Sequence, residues 1–251
     1  MDSKRLLTAL AALLMAVCAF ADKDAVKVKL LEARPGLPIE SVKVSELPGF
    51  VQVNLRGGHK LYATSDGAYF VAGDLYRVES ADFVNVSDQE RSVHRKRVLD
   101  SLDESEMLVF APPADKVKAT VTVFTDIDCG FCRKLHQEVP AMNELGIAIR
   151  YLAYPRAGIH SDSYNKIVSA WCASDPLNAL TKAKQGEAIP TRKCSNPVAK
   201  QYELGGELNV TGTPTLLFED GGMRGGYLPA KLVAAHLGLS TGTAAQKVVA
   251  N

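Results

Sequence analysis

Two closely spaced cysteines are the residues of this sequence best suited to chemistry. Cys129 and Cys132 enclose a Gly-Phe dipeptide, and a dithiol at this spacing can be oxidised to a disulfide and reduced again. The pair follows an apolar run typical of a buried strand, and it begins a segment with helical periodicity. At a helix N-terminus, unpaired N–H groups and the positive end of the helix dipole stabilise a thiolate and lower the pKa of a cysteine. The motif therefore predicts thiol–disulfide exchange, with Cys129 as the attacking sulfur.

The spacing of apolar residues assigns different roles to the two sulfurs. Cys132 begins a stripe at helical spacing, so we expect it to be buried one turn into the helix, where it can resolve a mixed disulfide. We expect Cys129 to lie exposed at the helix N-terminus. Asp128 opposes ionisation of Cys129, because an adjacent carboxylate disfavours a second negative charge, but the dipole and the N–H donors should outweigh it. The stripe consists of Cys132, Leu135, Val139 and Met142.

The remaining cysteines argue against a metal site. Zinc would need a second pair of ligands, but Cys172 and Cys194 do not form another CxxC motif, and the five histidines are scattered along the chain. We therefore expect neither a metal nor another cofactor. The four cysteines that follow residue 21 allow three pairings. The local setting favours one disulfide within the CxxC motif and a structural one between Cys172 and Cys194. The alternative for the CxxC motif is a purely structural disulfide.

The first 21 residues have the pattern of a targeting segment. A basic start precedes an apolar run over residues 6–20, which ends in the small–x–small sequence at 19–21. This pattern is typical of a cleaved secretory signal peptide, and the run is shorter than the roughly 20 residues that span a bilayer. A membrane anchor and a lipoprotein signal ending at Cys18 are the alternatives. We therefore expect residues 1–21 to be a signal peptide and residues 22–251 to be exported to an oxidising compartment.

Composition places the chain among ordinary globular proteins. Of its 251 residues, 47% are hydrophobic and 23% are charged, which excludes disordered, collagen-like and multi-span membrane proteins. The formal net charge is +1, and without the first 21 residues the basic and acidic residues number 27 each. A neutral chain without a basic stripe offers no electrostatic reason to bind nucleic acid.

Short strand-like segments dominate residues 22–86. Residues 50–55 and 60–64 read as two strands of a hairpin, and residues 68–78 read as a further strand that Gly73 interrupts. A sheet this small buries little surface and often needs a partner. The strand at 68–78 could supply one by pairing edge to edge, and internal packing is the alternative.

A charged helix and an α/β region follow. Ser87 and Glu90 form a capping box, and the thin apolar stripe behind them favours a linker helix over residues 87–106 rather than a core helix. Residues 107–251 alternate strands and helices, which predicts a central sheet covered by helices. The chain as a whole is then α+β. The predicted elements of this region are a strand at 119–125, a helix after Cys129, a strand at 147–153, a helical insertion at 161–208, a strand at 214–218 and a closing helix at 228–237.

Four runs of sequence resemble the DsbC/DsbG family of bacterial thiol:disulfide interchange proteins. They occur in the family's order, and the interval between Cys172 and Cys194 also fits. The likeness covers nearly all of residues 22–251, although less sharply in the amino-terminal part. The runs depart from the DsbC pattern at three positions, with Asp128 for Thr, Phe131 for Tyr and Arg133 for His. These departures bear on the reduction potential more than on the reaction type. The runs occupy residues 123–136, 149–155, 170–173 and 210–214.

The resemblance implies a fold and an assembly. Residues 107–251 would form a thioredoxin-like catalytic domain with a helical insertion, and residues 22–86 a small α+β dimerisation domain, so that two chains make a V-shaped homodimer. Pro214 would be a cis-proline beside the CxxC motif, with the backbone of Thr213 free to pair with an extended substrate; a trans-proline that opens an edge strand is the alternative. Thr213 and Pro214 are thus the predicted substrate-binding residues.

The resemblance also implies an activity. Cys129 and Cys132 would rearrange incorrect disulfides in misfolded exported proteins, in the periplasm, and a membrane reductant of the DsbD type would keep them reduced. Chaperone activity would accompany catalysis. The alternatives are a DsbG-like reductase that protects single oxidised cysteines, a DsbA-like oxidase, and a non-enzymatic dimeric chaperone. The Gly-Phe dipeptide argues against the first of these, and the extra amino-terminal domain argues against the second.

Three further residues near the motif are interpreted as packing or rim residues. They are His136, Tyr151 and Tyr154. A proton-shuttle role for His136 is the alternative interpretation of that side chain.

Overall fold

The computed structural model describes residues 23–80 and 82–239, and the expected signal peptide lies outside these residues. They form two compact units that divide between Ser87 and Asp88. The helices are α1 (Lys23–Ala33), α2 (Val86–Asp100), α3 (Gly130–Gln137), α4 (Val139–Glu144), α5 (Asp162–Trp171), α6 (Pro176–Gln185), α7 (Val198–Glu207) and α8 (Ala230–His236). The strands are β1 (Ile39–Val44), β2 (Phe50–Leu55), β3 (Lys60–Thr64), β4 (Phe70–Ala72), β5 (Tyr76–Val78), β6 (Phe83–Asn85), β7 (Leu108–Phe110), β8 (Ala119–Thr125), β9 (Ile147–Ala153), β10 (Thr215–Phe218) and β11 (Met223–Gly225).

The first unit packs one helix on a four-stranded antiparallel sheet of order β1-β2-β3-β4. The expectation that this region is mostly strand-like is wrong at its start, where α1 lies. Val26 and Leu30 are one helical turn apart and are buried against Val51 and Val53 of β2. Only Val26 and Leu30 are buried, whereas Val28 is 54% exposed, and the alternation of apolar residues and lysines over 26–30 hid the helical period in the sequence.

The interruption expected at Gly73 is present, but residues 68–78 do not form one edge strand. Gly73 has φ +143°, which is outside the range of a continuous strand, and the chain divides there into two strands of different sheets. β4 pairs with β3 and forms an edge of the four-stranded sheet, whereas β5 pairs with β6 in a two-stranded ribbon.

The predicted capping box is wrong, because α2 begins at Val86 and Ser87 therefore lies in its first turn rather than at its N-cap. The hydroxyl of Ser87 instead makes tertiary contacts within the first unit. It lies 2.6 Å from the Tyr62 hydroxyl and accepts a hydrogen bond from the Leu75 N–H at 2.9 Å. The helix ends at Asp100, and residues 104–106 form a separate 3₁₀ turn.

The linker helix α2 packs one face on the second unit. Arg95 is only 2% exposed; its guanidinium donates to the Gly221 carbonyl at 2.6 Å and to the Asp88 carboxylate at 3.0 Å. One turn later, Leu99 is buried against Phe124 and Leu217. The thin apolar stripe of the sequence is therefore a docking face, and the long stem and charge of Arg95 extend it.

The second unit is built on a five-stranded sheet of order β11-β10-β8-β9-β7. The central strand β8 pairs in parallel with β9 and antiparallel with β10. Its alternate residues serve two cores, since Val121 and Val123 join one hydrophobic cluster and Phe124 joins the other. The strands and helices expected in this region are present, and the short strands β7 and β11 are additions. Helices α5, α6 and α7 form the insertion between β9 and β10.

Gly221 tests the docking of α2. It has φ +81°, and a Cβ there would lie 1.9 Å from the Ser92 carbonyl oxygen of α2. Gly186 has φ +90° and open space around its Cβ position, so it is a matched control. We expect Gly186→Ala to lower the free energy of unfolding by about 1 kcal/mol, through backbone strain alone, and Gly221→Ala to lower it by about 2–4 kcal/mol. Chemical denaturation measures both, and equal losses would contradict the proposed contact.

Candidate active site

The CxxC motif lies at the junction between β8 and α3. β8 ends at Thr125, three residues turn the chain, and Cys129 is the N-cap of α3 with extended backbone angles (φ −85°, ψ 119°). The Cys129 carbonyl accepts the first helical hydrogen bond, from Arg133 at 3.0 Å. A buried strand therefore fixes the position of the first cysteine, and the helix fixes the direction of the second.

Both sulfurs are free thiols and both residues are buried. Cys132 is fully buried on the expected stripe. Cys129 is only 2% exposed, so the expectation that it lies exposed is wrong. The cause is a distant segment of chain, because the Cys129 thiol donates to the Thr213 carbonyl at 3.2 Å. Phe131, between the two cysteines, is 63% exposed.

The segment that covers Cys129 leads into β10. The peptide bond between Thr213 and Pro214 is cis, and β10 begins at the next residue. β10 pairs with β8 so that Thr215 lies opposite Phe124. Residues 213–214 are thus held beside the end of β8 and the start of α3, where the sequence resemblance placed them.

The surroundings shift the pKa values of the two thiols in opposite directions. Burial raises the pKa of Cys129, but hydrogen bonding with Thr213 and Cys132 and the positive charge of Arg156 outweigh it and leave this pKa below its usual value. Burial also raises the pKa of Cys132, and here it prevails over the opposing charge of Lys184. The asymmetry agrees with an attacking Cys129 and a resolving Cys132.

Asp128 is engaged elsewhere, which bears on its expected effect on Cys129. Its carboxylate accepts hydrogen bonds from Lys166 at 3.0 Å to each oxygen and from Arg133 at 3.4 Å. Two cations therefore offset its negative charge, and the principal influences on the pKa of Cys129 come from burial, Thr213, Cys132 and Arg156 instead.

A different carboxylate, Asp126, is buried behind the motif. It is 2% exposed and accepts hydrogen bonds from the Ser163 hydroxyl, from the Asp128 N–H at 2.9 Å, and from both the N–H and the guanidinium of Arg156. Burial raises the pKa of Asp126, but these donors outweigh it and hold the pKa below its usual value. The ionised carboxylate keeps the Arg156 charge near Cys129.

A buried cation, Lys184, lies on the other side of Asp126. The side chain, on α6, is 3% exposed and donates to the Thr125 hydroxyl at 2.7 Å and to the Asp126 carbonyl at 3.5 Å. Burial lowers its pKa to about 8. The sequence analysis assigned no role to Asp126, Arg156 or Lys184. A carboxylate directly after a buried strand was the available signal for Asp126, whereas no local signal marked the lysine.

Comparison with known proteins assigns this geometry to a family. Residues 18–88 match a disulfide bond isomerase protein N-terminal domain, and residues 111–239 match a thioredoxin-like domain. The thiol:disulfide interchange protein DsbC of Escherichia coli K12 is 35% identical over 87% of this chain and 89% of its own length. The DsbC proteins of Salmonella typhimurium LT2 and Dickeya dadantii are each 37% identical, over 92% and 94% of this chain and 92% and 95% of their own lengths.

The chain belongs to the DsbC family of disulfide isomerases. The expected fold, with a small β-sheet domain, a linker helix and a thioredoxin-like α/β domain that carries a helical insertion, is confirmed. The crystal structure of a disulfide interchange protein from Neisseria gonorrhoeae is 32% identical over 51% of this chain and 90% of its own, with a TM-score of 0.46, so the assignment rests on the sequences.

The insertion of this DsbC-family chain carries the second pair of cysteines. Cys172, at the end of α5, is bonded to Cys194, with an S–S distance of 2.02 Å and Cα atoms 5.6 Å apart. The bond closes the segment that contains α6. Among the residues that the structure describes, no cluster of three His, Cys, Asp or Glu side chains is placed to hold a metal, and no helix has the length and apolar character needed to cross a membrane.

The residues interpreted as packing residues make packing contacts. The imidazole of His136 lies 3.1 Å from the Tyr151 hydroxyl and 3.0 Å from the Thr181 hydroxyl, and Tyr151 is fully buried. Tyr154 donates to the Val210 carbonyl at 2.7 Å. Burial and then the Lys184 charge lower the pKa of His136 to about 4. The ring is therefore neutral at physiological pH.

This neutral histidine makes stability depend on pH. The folded-state pKa of His136 is below the ordinary 6.5, so the unfolded chain binds the proton first as the pH falls. The contribution is complete above pH 6.5 and is lost toward pH 4. We expect wild type to lose about 2–3 kcal/mol more stability between pH 7 and 4.5 than His136→Gln. Tyr151→Phe keeps the buried imidazole and should keep the slope. Denaturant titrations at both pH values measure this difference, and equal slopes in wild type and His136→Gln would contradict it.

Proposed function

We propose that this protein rearranges incorrect disulfides in exported proteins, with Cys129 as the nucleophile and Cys132 as the resolving residue. The observation that carries the proposal is the asymmetric dithiol, in which contacts with Thr213 and the charge of Arg156 favour the Cys129 thiolate while burial keeps Cys132 protonated. The thiolate is the attacking species in disulfide exchange. A second thiol that stays protonated does not attack the mixed disulfide before a substrate thiol can react with it.

The exchange conserves electrons at each step. The Cys129 thiolate attacks one sulfur of a substrate disulfide, a mixed disulfide forms, and the other substrate sulfur leaves as a thiolate. If a different substrate thiolate then attacks the mixed disulfide, a new substrate disulfide forms, Cys129 is released and no net oxidation has occurred. If Cys132 attacks instead, the CxxC motif is oxidised and the substrate leaves reduced. A membrane reductant of the DsbD type would restore the dithiol in that case.

Substrate binding is proposed at the segment that covers Cys129. The backbone of Thr213, followed by Pro214, lies at the sulfur and offers polar groups to an extended chain. Phe131 projects from the start of α3 with 63% of its surface exposed, which suits an apolar contact with an unfolded segment. A substrate strand that pairs there would displace the Cys129–Thr213 contact and expose the thiol.

A homodimer is proposed through the first unit. In the described part of that unit β4 is an edge strand with no pairing on its outer side, and all three of its residues are exposed. Phe70 and Val71 place apolar side chains at this edge, as does the neighbouring Tyr69. Strand pairing between two copies would cover these groups and satisfy the free backbone. A dimer would also carry two copies of the exposed Phe131 side chain, and such apolar surface would support the proposed chaperone activity.

The proposed location is the periplasm. The support is the signal-peptide pattern of residues 1–21, together with the disulfide between Cys172 and Cys194, because such bonds persist in oxidising compartments. Substrates of this location are misfolded proteins that carry several cysteines.

Reactivation of a scrambled multi-disulfide protein tests the activity. Residues 22–251 in a glutathione buffer should restore the activity of such a substrate, because the Cys129 thiolate initiates each exchange. Cys129→Ser should fall to the uncatalysed rate. Cys132→Ser should keep part of the activity, since isomerisation needs only the first sulfur.

The control in this experiment is reduction of a small disulfide. A wild type that reduces the small disulfide but does not reactivate the scrambled protein would overturn the proposed substrate class. If suppression of aggregation survives in Cys129→Ser while wild type shows no exchange of either kind, the protein acts as a chaperone alone.

Ala72→Pro tests the dimer interface. Gly73 donates its N–H to Lys60 of β3, and ladder bonds alternate along a strand, so the Ala72 N–H points away from β3. Proline there removes an outward donor and spares the sheet. We expect Ala72→Pro to weaken dimerisation at least about tenfold, and Ala72→Ser, which keeps the N–H, to dimerise like wild type. Analytical ultracentrifugation over a concentration series measures the constants. Unchanged dimerisation in a folded Ala72→Pro variant would place the interface elsewhere.

A further inference from the structure

The buried lysine of the insertion is the feature that the exchange mechanism leaves unused. Lys184 is on α6, whose neighbouring Lys182 is exposed to solvent, yet Lys184 itself is 3% exposed. Burying an ammonium group is unfavourable unless the site returns polar or charged contacts. Among residues 23–80 and 82–239, no carboxylate lies within ion-pair distance of its Nζ atom. A stability role alone therefore does not account for this placement.

The ammonium group lies against the backbone that holds the resolving sulfur. Its Nζ atom donates to the Thr125 hydroxyl at 2.7 Å and to the Asp126 carbonyl at 3.5 Å. The Asp126 N–H, at the same residue, lies 3.5 Å from the Cys132 Sγ atom. Cys132 is fully buried, so water does not compete with the cation for its charge.

The other titratable groups around Lys184 leave the thiols as its principal counter-charges. The Asp126 carboxylate is engaged by Arg156 and Ser163. His136 is neutral, and the ring of Tyr151 presents its face at 5.4 Å from Nζ. The charged and titratable groups that act on the Lys184 cation are Cys129, Cys132, Asp126 and Arg133. His136 and Tyr151 pack beside the cation.

We propose that Lys184 is a positioning residue for Cys132, which stabilises the Cys132 thiolate when a mixed disulfide is resolved. This inference rests on the exchange chemistry proposed above. In the step concerned, Cys132 loses its proton and its sulfur attacks Cys129. The Cys129–Cys132 bond forms, the bond from Cys129 to the substrate breaks, and the departing substrate thiolate takes up the proton. At pH 7, below its pKa of about 8, Lys184 stays protonated in this step and supplies charge only.

Lys184 thereby influences whether a mixed disulfide is resolved by Cys132 or rearranged by a second substrate thiol. Resolution by Cys132 competes with attack by a second substrate thiol, so a cation that favours the Cys132 thiolate shortens the life of the mixed disulfide. Without it, reduction slows while isomerisation does not. The opposing effects on the pKa of Cys132, in which burial raises it and the Lys184 charge lowers it, support this role.

The first test is a titration that requires no substrate. In a Cys129→Ser background Cys132 is the one thiol left in the motif, and thiolate absorbance near 240 nm reports its pKa. Burial lowers the pKa of Lys184, but the Cys132 thiolate in turn raises it, so the two groups favour each other's ionised form. We therefore expect Lys184→Met to raise the Cys132 pKa by up to about one unit and Lys182→Met, on the exposed face of the same helix, to leave it unchanged. Lys184→Gln is the second variant in case the first fails to fold, and thermal unfolding checks each protein.

The second test follows the mixed disulfide itself. With Cys129 of residues 22–251 linked to a single-cysteine peptide, release of the peptide reports the attack by Cys132. A one-unit rise in pKa lowers the thiolate fraction tenfold but raises its nucleophilicity, so Lys184→Met should slow release about threefold at pH 7. An unchanged Cys132 pKa together with an unchanged release rate would overturn the proposal. The Cys132 titration and the peptide release do not depend on which disulfide proteins are substrates. Both therefore still test the role of Lys184 if the reactivation assay fails.

Discussion

The contact between Cys129 and the Thr213 carbonyl is the interaction on which the rest of the site depends. It joins segments 84 residues apart in sequence, and three elements must be in place to form it. β8 delivers the N-cap of α3, β10 pairs with β8, and the cis peptide before Pro214 presents the carbonyl to the sulfur. Because the same contact buries Cys129, access to the thiol depends on the segment that leads into β10. The central sheet thus controls access to the nucleophile.

Buried charge is the second constraint, and the protein distributes it asymmetrically. The Asp126 carboxylate accepts several hydrogen bonds and holds Arg156 on the side of Cys129. Lys184 lies on the side of Cys132, without a carboxylate partner among the described residues. Lys184 is buried in a low-dielectric interior, where its charge acts strongly on the nearest thiol, whereas Arg156 is 47% exposed and its charge is partly screened by water. The helical insertion that supplies Lys184 is closed by the disulfide between Cys172 and Cys194. The insertion therefore contributes to the chemistry as well as to the packing.

The two units differ in the size of their hydrophobic cores and in the exposure of their sheet edges. The second has a large core on both faces of its sheet, and α2 covers part of one face through Leu99 and Arg95. The first has a small core and an apolar open edge at β4. A unit of this size gains stability when another strand pairs with its edge. The dithiol thus lies in the second unit and the open apolar edge in the first, and α2 follows the first unit in sequence.

Local patterns in the sequence determined the dithiol, its strand-to-helix setting, the buried stripe that includes Cys132, and most elements of the α/β region. These features depend on residues within about two turns of one another, so spacing reports them. Only the tertiary structure decided that Cys129 is buried, that Ser87 contacts Tyr62 instead of capping α2, and that Lys184 reaches the motif. Each of these depends on a partner far along the chain, and the free energy of such a contact leaves no periodic trace in the residues that make it.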